Sequence, residues 1–405
     1  MKISLEEFDT KKFKKDFAYE EDNRKAIVTH YLHNYHNGIK DHFKDEAVIY
    51  LKQIVEYKNH EEKLNLLSDV AEQLFLFEVE NAPFPTPKDY NFKFIDLFAG
   101  IGGFRLALQN LGGRCVFTSE WNENAKKTYN ANFGETPFGD ITKEYTKNYI
   151  PKDFDVLCAG FPCQAFSIAG YRKGFHDTRG TLFFDIEKII EKHRPKVVFL
   201  ENVKNLVSHD NGNTFKIIIE ILEEKLGYKV YSKILNSSTH ANVPQNRERI
   251  FIVAFDPKQV KNYSKFRFPE PIPLTKTIHD FLEKGKQNDS LYYKKEHPYY
   301  PELKKTITSK NTIYQWRRVY VRENKNNMCP TLTANMGAGG HNVPLILDDF
   351  GIRKLTPKEC FAFQGYPVDK FVLPNISNSG LYMQAGNSVT TTLIERIFIE
   401  ILKVM

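Results

Sequence analysis

Cysteine is scarce in this chain, which has five among 405 residues: Cys115, Cys158, Cys163, Cys329 and Cys360. No two of them form a CxxC pair, so neither a disulfide framework nor a cysteine zinc site is indicated. The sequence also lacks a hydrophobic signal core at its N-terminus and any apolar run long enough to span a membrane. We therefore expect a cytoplasmic protein with no metal and no membrane partner.

Excess negative charge is confined to the N-terminal part of the chain. The formal net charge is +7, and residues 1–90 carry −5, which leaves +12 on residues 91–405. An excess of positive charge on the larger part suits a polyanionic partner such as nucleic acid, although it also fits a merely soluble protein. The length is sufficient for two or three domains.

Residues 1–80 show helical periodicity, and three prolines at 83, 85 and 87 then indicate an extended linker. His30, His33 and His36 recur at three-residue spacing within this part. A metal site there is one interpretation, but no carboxylate or cysteine of the local sequence completes it, and a polar or packing face is favoured. We predict an accessory helical module.

From Phe92 onward, strand patterns alternate with helix patterns, which predicts an α/β fold with a parallel sheet. The predicted strands cover 93–98, 115–119, 154–159, 197–202, 228–235 and 249–255, and the predicted helices include 104–111, 122–131 and 182–193. The alternation stops after about residue 256, and a basic, aromatic segment follows, which we interpret as a separate module. A helix over about 388–403 is predicted to return to the α/β body.

The peptide Gly160-Phe161-Pro162-Cys163-Gln164 follows a short apolar run that reads as a buried strand. Proline removes a backbone donor and ends the strand, which places Cys163 at a carboxyl end, where open α/β sheets bind ligands. As a thiolate, Cys163 would be a nucleophile. The alternative is a small buried residue that caps a strand.

A strand over 94–98 runs into a glycine-rich turn and an amphipathic helix, and such turns allow a backbone to approach a ligand closely. About twenty residues later, Glu120 ends the next strand, where a carboxylate can bind the hydroxyls of a ribose. Trp121 offers a face for adenine, and Asp140 could hold its amino group. A structural loop is the alternative, but this order favours an adenosine-containing cofactor.

Glu201 lies at the end of another predicted strand, where burial would raise its pKa and suit it to act as an acid. Arg247 and Arg249 open the strand that ends near Ala254, and alternation places both guanidiniums on one face. Such a pair can orient a carboxylate and hold the carbonyl of a heterocycle. An ion pair at a solvated strand start is the alternative.

Nine blocks of this sequence resemble, in order, those of the bacterial DNA (cytosine-5-)-methyltransferases of restriction-modification systems. The blocks are FIDLFAGIGGFRLAL, TSEWNENA, GDIT, GFPCQAFSIAG, RGTLFFDI, LENVKNL, QNRERIFIVAF, RKLTPKECFAFQGYP and QAGNSVTTTLI. The resemblance implies an S-adenosylmethionine-dependent, Rossmann-like large domain and a smaller target-recognition domain. We expect an N-terminal helical extension with its linker at 1–90, a catalytic domain at 91–268, a target-recognition domain at 269–384, and a closing segment at 385–405.

The resemblance also implies roles for individual residues. Cys163 matches the nucleophile, Glu201 the acid and Arg249 its companion, with Arg247 beside it. The expected cofactor-binding residues are Phe98, Gly100, Ile101, Gly102, Glu120, Trp121, Asp140, Ile141, Leu182, Asn387, Ser388 and Val389. The expected DNA-binding residues are Gln164, Ser167, Arg179, Arg317, Arg318 and Arg322.

The implied reaction moves a methyl group from S-adenosylmethionine to carbon 5 of a cytosine flipped out of a duplex, which leaves S-adenosylhomocysteine. We expect a monomer that acts on double-stranded DNA, with a restriction endonuclease that shares the recognition sequence as a partner. An RNA cytosine methyltransferase and a non-catalytic DNA-binding regulator are the alternatives. A nicotinamide dehydrogenase is disfavoured because the glycine spacing is not GxGxxG.

Overall fold

The computed structural model of the chain describes residues 23–62, 75–77, 79–162, 182–317, 320–338 and 342–405. Its helices are α1 (Arg24–His33), α2 (Lys40–Glu62), α3 (Gly103–Asn110), α4 (Glu123–Phe133), α5 (Glu144–Lys147), α6 (Leu182–His193), α7 (Asn213–Glu220), α8 (Ser237–His240), α9 (Tyr300–Thr306), α10 (Pro357–Ala362), α11 (Asn378–Asn387) and α12 (Thr391–Leu402).

A six-stranded sheet forms the centre of the larger part. Its strands are β1 (Phe92–Leu97), β2 (Gly113–Ser119), β3 (Val156–Gly160), β4 (Val197–Val203), β5 (Lys229–Asn236) and β6 (Glu248–Phe255). All six predicted strands are confirmed within two residues at each end. The spatial order is β2-β1-β3-β4-β6-β5.

The sheet is mixed rather than parallel, which corrects the prediction. β1 to β4 pair in parallel, whereas β6 runs antiparallel to both of its neighbours, β4 and β5. β5 and β6 are joined without a long crossover helix, so the second strand returns in the opposite direction.

The two faces of the sheet are covered by different helices. On one face, α3 and α12 pack on alternate residues of the strands, such as Phe94 and Phe199. On the other face, α6 and α7 pack on the intervening residues, such as Ile95 and Leu200. Because successive strand side chains point to opposite faces, the nearly continuous apolar strands are those of a sheet buried on both sides.

The N-terminal helices share the core of the sheet instead of standing beside it. Ala26 and Ile27 of α1 and Phe43 of α2 are buried in the same cluster as Phe117 and Phe138. The proline segment is also packed, since the Arg105 guanidinium donates to the Thr86 hydroxyl at 2.8 Å. This packing differs from the predicted accessory module.

A second, small sheet belongs to the segment after residue 256. It contains β7 (Tyr314–Arg317), β8 (Tyr320–Glu323), β9 (Leu345–Leu347) and β10 (Ile352–Lys354), in the antiparallel order β10-β9-β7-β8. Tyr314, Val321, Leu345 and Ile352 form its own apolar cluster with Leu303 of α9. The boundaries between domains stay a prediction.

No helix within the described ranges is long and apolar enough to cross a membrane.

Candidate active site

The candidate site lies along the edge of the sheet where β1 to β4 end. Because these four strands are parallel, their carboxyl ends meet at one edge, and residues predicted to be functional lie at or just beyond these ends. Phe98 follows β1, Glu120 follows β2, Gly160 ends β3, and Glu201 lies near the end of β4. An open α/β sheet binds its ligands at such an edge.

The glycine turn after β1 leaves its backbone open at one position. Phe98 and Gly100 both have φ of +56°, a left-handed conformation that is unusual for a residue with a side chain such as Phe98. A Cβ added at Gly100 would meet no atom within 4 Å, whereas at Gly102 it would lie 2.3 Å from the Phe133 ring. The turn therefore packs on its inner side and presents open backbone at Gly100.

Glu120 closes this turn from the neighbouring strand. Its carboxylate accepts hydrogen bonds from the Gly100 amide at 2.8 Å and from the Asn122 amide at 2.7 Å. Burial raises the pKa of Glu120, while these backbone donors oppose the rise. Trp121 next to it is 75% exposed, an uncommon state for a large aromatic side chain and one that leaves its face accessible to a ligand.

Asp140 and Ile141 lie beside the end of β2. The Phe138 amide donates to the Thr118 carbonyl, and the Phe138 carbonyl accepts from the Glu120 amide at 2.8 Å. This bridge places the Gly139–Ile141 segment next to Glu120, as the sequence order of the two motifs predicted. Ile141 is buried, and the Asp140 carboxylate accepts from the Thr142 amide.

Asp96, near the end of β1, is a fully buried acidic residue that the sequence analysis did not single out. Its carboxyl group has no side-chain hydrogen-bond partner among the described residues, and the backbone amide of Arg105 in α3 acts on it as a donor. Burial raises the pKa of Asp96 well above its usual value, against the opposing charge of Arg105. The feature of the sequence that could have drawn attention to Asp96 is an acidic residue inside an otherwise apolar part of β1.

The segment after α11 forms a lip at the same edge. The Ser388 hydroxyl is paired with the Tyr366 hydroxyl at 2.6 Å, and Val389 lies so close to Gly103 that a Cβ there would be 2.6 Å from it. Asn387 is exposed. Leu182 begins α6 and is half-buried.

Glu201 and Arg249 form an ion pair on the adjacent strands. The Arg249 Nε and a Glu201 carboxylate oxygen are 3.1 Å apart, and Glu201 is only 8% exposed. Burial raises the pKa of Glu201, and the charges of Arg249 and Arg247 oppose the rise. The predicted pairing of Glu201 with Arg249 is thus present, and it is available for acid–base chemistry.

Cys163, Gln164, Ser167, Arg179 and Arg318 lie outside the described residues. The chain that leads to Cys163 can be followed as far as Pro162, and Gly160 is the register partner of Glu201. The Asn202 amide group donates to the Phe161 carbonyl at 2.9 Å, which ties this approach to β4. Asn202 is a second residue that the sequence analysis missed, although it belongs to the LENV motif.

Arg247 precedes β6, and its contacts differ from those of Arg249. Its buried guanidinium donates to three backbone carbonyls, those of Leu332, Gly386 and Ser388. No hydrogen bond joins it to Glu201 among the described contacts, although its charge acts on the Glu201 pKa. Arg247 thereby connects the lip to the segment at Leu332, directly before residues 333–340, whose sequence TANMGAGG is called the glycine-rich loop below.

A polar cleft of about 610 Å³ lies between the small sheet and this segment. Arg317 and Arg322 line it, together with Asn246, Thr333 and Asn335. Both guanidiniums donate to the Gln315 side-chain oxygen, at 3.1 and 2.7 Å, so the strand pair β7–β8 holds them side by side. The cleft is suited to an anionic ligand with polar edges.

Residues 92–403 match the family model described as C-5 cytosine-specific DNA methylase. The chain belongs to this family. It is 52% identical over 313 residues to the Type II methyltransferase M.Bsp6I of Bacillus sp. (strain RFL6), which covers 76% of this chain and 98% of that protein. It is 45% identical over 351 residues to M.HpaII of Haemophilus parainfluenzae, which covers 82% of this chain and 94% of that protein.

Solved structures support the fold of this methylase. The S. pombe Dnmt2 methyltransferase has a TM-score of 0.58 at 20% identity, and the match covers 77% of this chain and 98% of that chain. The Entamoeba histolytica methyltransferase EhMeth has a TM-score of 0.57 at 18% identity, with coverage of 78% and 99%. The predicted methyltransferase fold and DNA (cytosine-5-)-methyltransferase activity are confirmed.

The methylase holds its glycine-rich loop by close backbone contact with α11. At Gly386 an added Cβ would lie 2.1 Å from a backbone atom of Thr333, and at Gly337 it would lie 2.4 Å from the Ser379 carbonyl oxygen. Both glycines are therefore required by space.

The three N-terminal histidines of the methylase are not gathered around a metal. His30 and His33 lie 3.4 and 4.0 Å from the Glu135 carboxylate, and His36 lies 3.4 Å from Glu80 on the surface. Within the described part of the chain, no group of three or more His, Cys, Asp or Glu side chains is placed to hold a metal ion.

Proposed function

We propose that this methylase transfers a methyl group from S-adenosylmethionine to carbon 5 of a cytosine that is flipped out of duplex DNA, through a covalent bond between Cys163 Sγ and carbon 6. The observation that carries the proposal is the register of Gly160 with Glu201. It brings the strand that leads to Cys163 beside the Glu201–Arg249 pair, one strand away from the glycine turn.

The residues at the sheet edge fit the cofactor. We assign Glu120 to the ribose hydroxyls, the exposed Trp121 to stacking on adenine, and Asp140 and Ile141 to the edge of the base. The open backbone at Gly100, with Phe98, Ile101 and Gly102, and the lip of Asn387, Ser388 and Val389 would enclose the rest, with Leu182. When bound, S-adenosylmethionine supplies an electrophilic methyl group.

Carbon 5 of cytosine is a weak nucleophile, so the protein must first activate the ring. The Cys163 thiol releases its proton, and its thiolate adds to carbon 6, which breaks the ring's conjugation and places enamine electron density at carbon 5. Glu201 donates a proton or hydrogen bond to N3, which stabilises this density. Arg249 orients the Glu201 carboxyl group through its ion pair.

The ring is restored after methyl transfer. Carbon 5 then carries both its original proton and the methyl group; the proton leaves to solvent, and the electrons of that bond expel Cys163 from carbon 6. N3 returns its proton to Glu201, and the expelled Cys163 thiolate takes up a proton from solvent. Each group of the protein thus ends in the state in which it began, as turnover requires.

The polar cleft that Arg317 and Arg322 line is suited to the DNA duplex. Arg317 and Arg322 are available to bind phosphates or the O6 and N7 atoms of guanine, and we assign Arg318, Gln164, Ser167 and Arg179 to the same partner. Such contacts offset the few kcal/mol that flipping a base costs. Because its relatives are Type II methyltransferases, we propose that the protein acts alongside a restriction endonuclease of the same specificity.

The first experiment is to methylate plasmid DNA with labelled S-adenosylmethionine, map the modified cytosines, and offer tRNA in parallel. Methyl transfer to tRNA and not to DNA would contradict the proposed substrate. A duplex with 5-fluorocytosine at the mapped position should trap the wild-type protein covalently, because fluorine cannot leave as a proton does. Cys163→Ala should form no trapped complex while it still binds the cofactor. Trapping by Cys163→Ala would show that another residue is the nucleophile.

A further inference from the structure

The helix α1 lies outside the part of the chain that matches the family, which begins at residue 92. Even so, two of its side chains, and that of Asn23 directly before it, accept hydrogen bonds from backbone amides beside the candidate cofactor site. Asn23 Oδ1 accepts from the Gly139 amide at 3.0 Å, and Thr29 Oγ1 from the Thr136 amide at 3.1 Å. His30 Nε2 accepts from the Thr118 amide at 3.1 Å.

These three amides belong to one structural unit, the outer edge of the sheet. β2 is the edge strand, and the segment from Thr136 to Gly139 runs along its end through the bridge between Ser119 and Phe138. The segment continues directly into Asp140, and the strand continues directly into Glu120. The Gly139 amide is thus one residue from Asp140, and the Thr118 amide is two residues from Glu120. The Thr136 amide is four residues before Asp140.

All three acceptors are buried, so water does not substitute for them. Asn23 is 2% exposed, and Thr29 and His30 are fully buried. His30 Nδ1 lies 2.8 Å from the Ala26 carbonyl and must donate to it, which leaves Nε2 as the acceptor for Thr118. Burial also lowers the pKa of His30, which keeps the ring neutral and Nε2 free to accept.

We propose that α1 is a positioning element for the cofactor site, in which Asn23 and Thr29 fix the backbone that presents Asp140, and His30 fixes the strand that presents Glu120. This inference rests on the proposed binding of S-adenosylmethionine at that edge. Without these acceptors, the backbone must be ordered when the cofactor binds. The apparent affinity then falls with the fraction of molecules already in the competent conformation.

The test uses matched variants of the full chain. Asn23→Ala and Thr29→Val each remove one acceptor, while Thr29→Ser retains its hydroxyl. Asn37→Ala is the control, since the Asn37 side chain accepts from the Ile39 amide at 2.8 Å in the turn between α1 and α2 and does not touch the cofactor edge. Dissociation constants are measured by calorimetry for S-adenosylmethionine and for methylthioadenosine, which lacks the amino-acid portion.

Asn23→Ala is expected to weaken S-adenosylmethionine binding by about 3- to 10-fold, the range that one hydrogen bond supplies. Methylthioadenosine should weaken by the same factor, because the affected contacts are on the adenosine side. The single-turnover rate at saturating cofactor should stay at the wild-type value, so the change appears in KM and not in kcat. Thr29→Val should weaken binding in the same way, and Thr29→Ser should restore it.

Two results would overturn the inference. One is wild-type affinity in both Asn23→Ala and Thr29→Val. The other is an equal loss of affinity in Asn37→Ala, which would mean that any damage to the N-terminal helices lowers binding. Failure of the wild-type protein itself to bind S-adenosylmethionine would instead refute the proposed function, and this inference with it. The wild-type measurement therefore separates the two failures.

Discussion

Replacing Arg247 with methionine tests how the lip, the glycine-rich loop and the catalytic strand are connected. The guanidinium is buried and donates to the carbonyls of Leu332, Gly386 and Ser388, which belong to segments far apart in the sequence. Methionine retains most of the side-chain volume and removes every donor. Three carbonyls would then be left without their partner.

The expected loss of stability follows from these contacts. A hydrogen bond from a charged donor contributes about 1.5–3 kcal/mol, so three of them set an upper limit of about 5–9 kcal/mol. Arg247 also has to be desolvated next to the like charge of Arg249, and both effects lower its pKa well below the usual value. We therefore expect a net loss of about 3–5 kcal/mol, the range for breaking a buried charged interaction.

The assay is urea unfolding followed by circular dichroism, with the m-value checked for constancy. Arg247→Lys retains the charge but not the planar fork, so it should lose part of this amount. Arg267→Met is the matched control, because Arg267 also donates to two carbonyls, those of Ser264 and Phe266, but it is exposed. The control should lose less than about 1 kcal/mol.

A decrease of less than about 1 kcal/mol in the unfolding free energy of Arg247→Met would refute this reasoning, because losing three buried hydrogen bonds from a charged donor should cost more. If that small loss came with a large fall in the single-turnover rate, Arg247 would act on the base, as the sequence pattern alone suggested.

Three further outcomes are expected. Glu201→Gln should slow single-turnover methylation by about 100-fold or more, the usual scale for a positioned acid; a near-wild-type rate would exclude that role. A chain shortened to begin near residue 88 should be poorly soluble or fail to bind cofactor, because Ala26, Ile27 and Phe43 are part of the main core; a well-folded, cofactor-binding product would show that the module is accessory. Arg317→Ala and Arg322→Ala separate base reading from phosphate contact: a base-reading arginine should cost about 1–3 kcal/mol and relax one position of the recognition sequence, whereas a phosphate contact weakens all sequences alike. Unchanged preference in both would place direct readout elsewhere.

Periodicity predicted the six central strands well, because most of them contain a short apolar run, although β5 is largely polar. It could not give the direction of β6, since a strand buried on both faces has the same pattern whichever way it runs. The pairing of Glu201 with Arg249 was expected from the family resemblance and not from periodicity, because the start of β6 meets the end of β4 only when β6 runs antiparallel.

Contacts with backbone atoms were beyond prediction for a different reason. Arg247 contacts three backbone carbonyls, and Asn23, Thr29 and His30 contact three backbone amides. Nearly every residue has both backbone groups, so the sequence does not indicate which of them a side chain will bind. The role of Asn23 depends on Gly139, 116 positions away. Only the folded chain shows which backbone groups are left for a side chain to bind.

The position of α12 bears on how the protein is made. The sheet strands are complete at Phe255, yet α12, whose Phe398 packs on Phe92 at 4.9 Å between ring centroids, is translated about 140 residues later. At about 5–20 residues per second, a ribosome needs roughly 7–30 s to cover that interval. Throughout this interval, α3 but not α12 can cover one face of the sheet, and the lip at Ser388 does not yet exist. A nascent chain therefore carries the sequence motif around Cys163 well before the proposed cofactor site is complete, and on the proposed function an unfinished polypeptide transfers no methyl group.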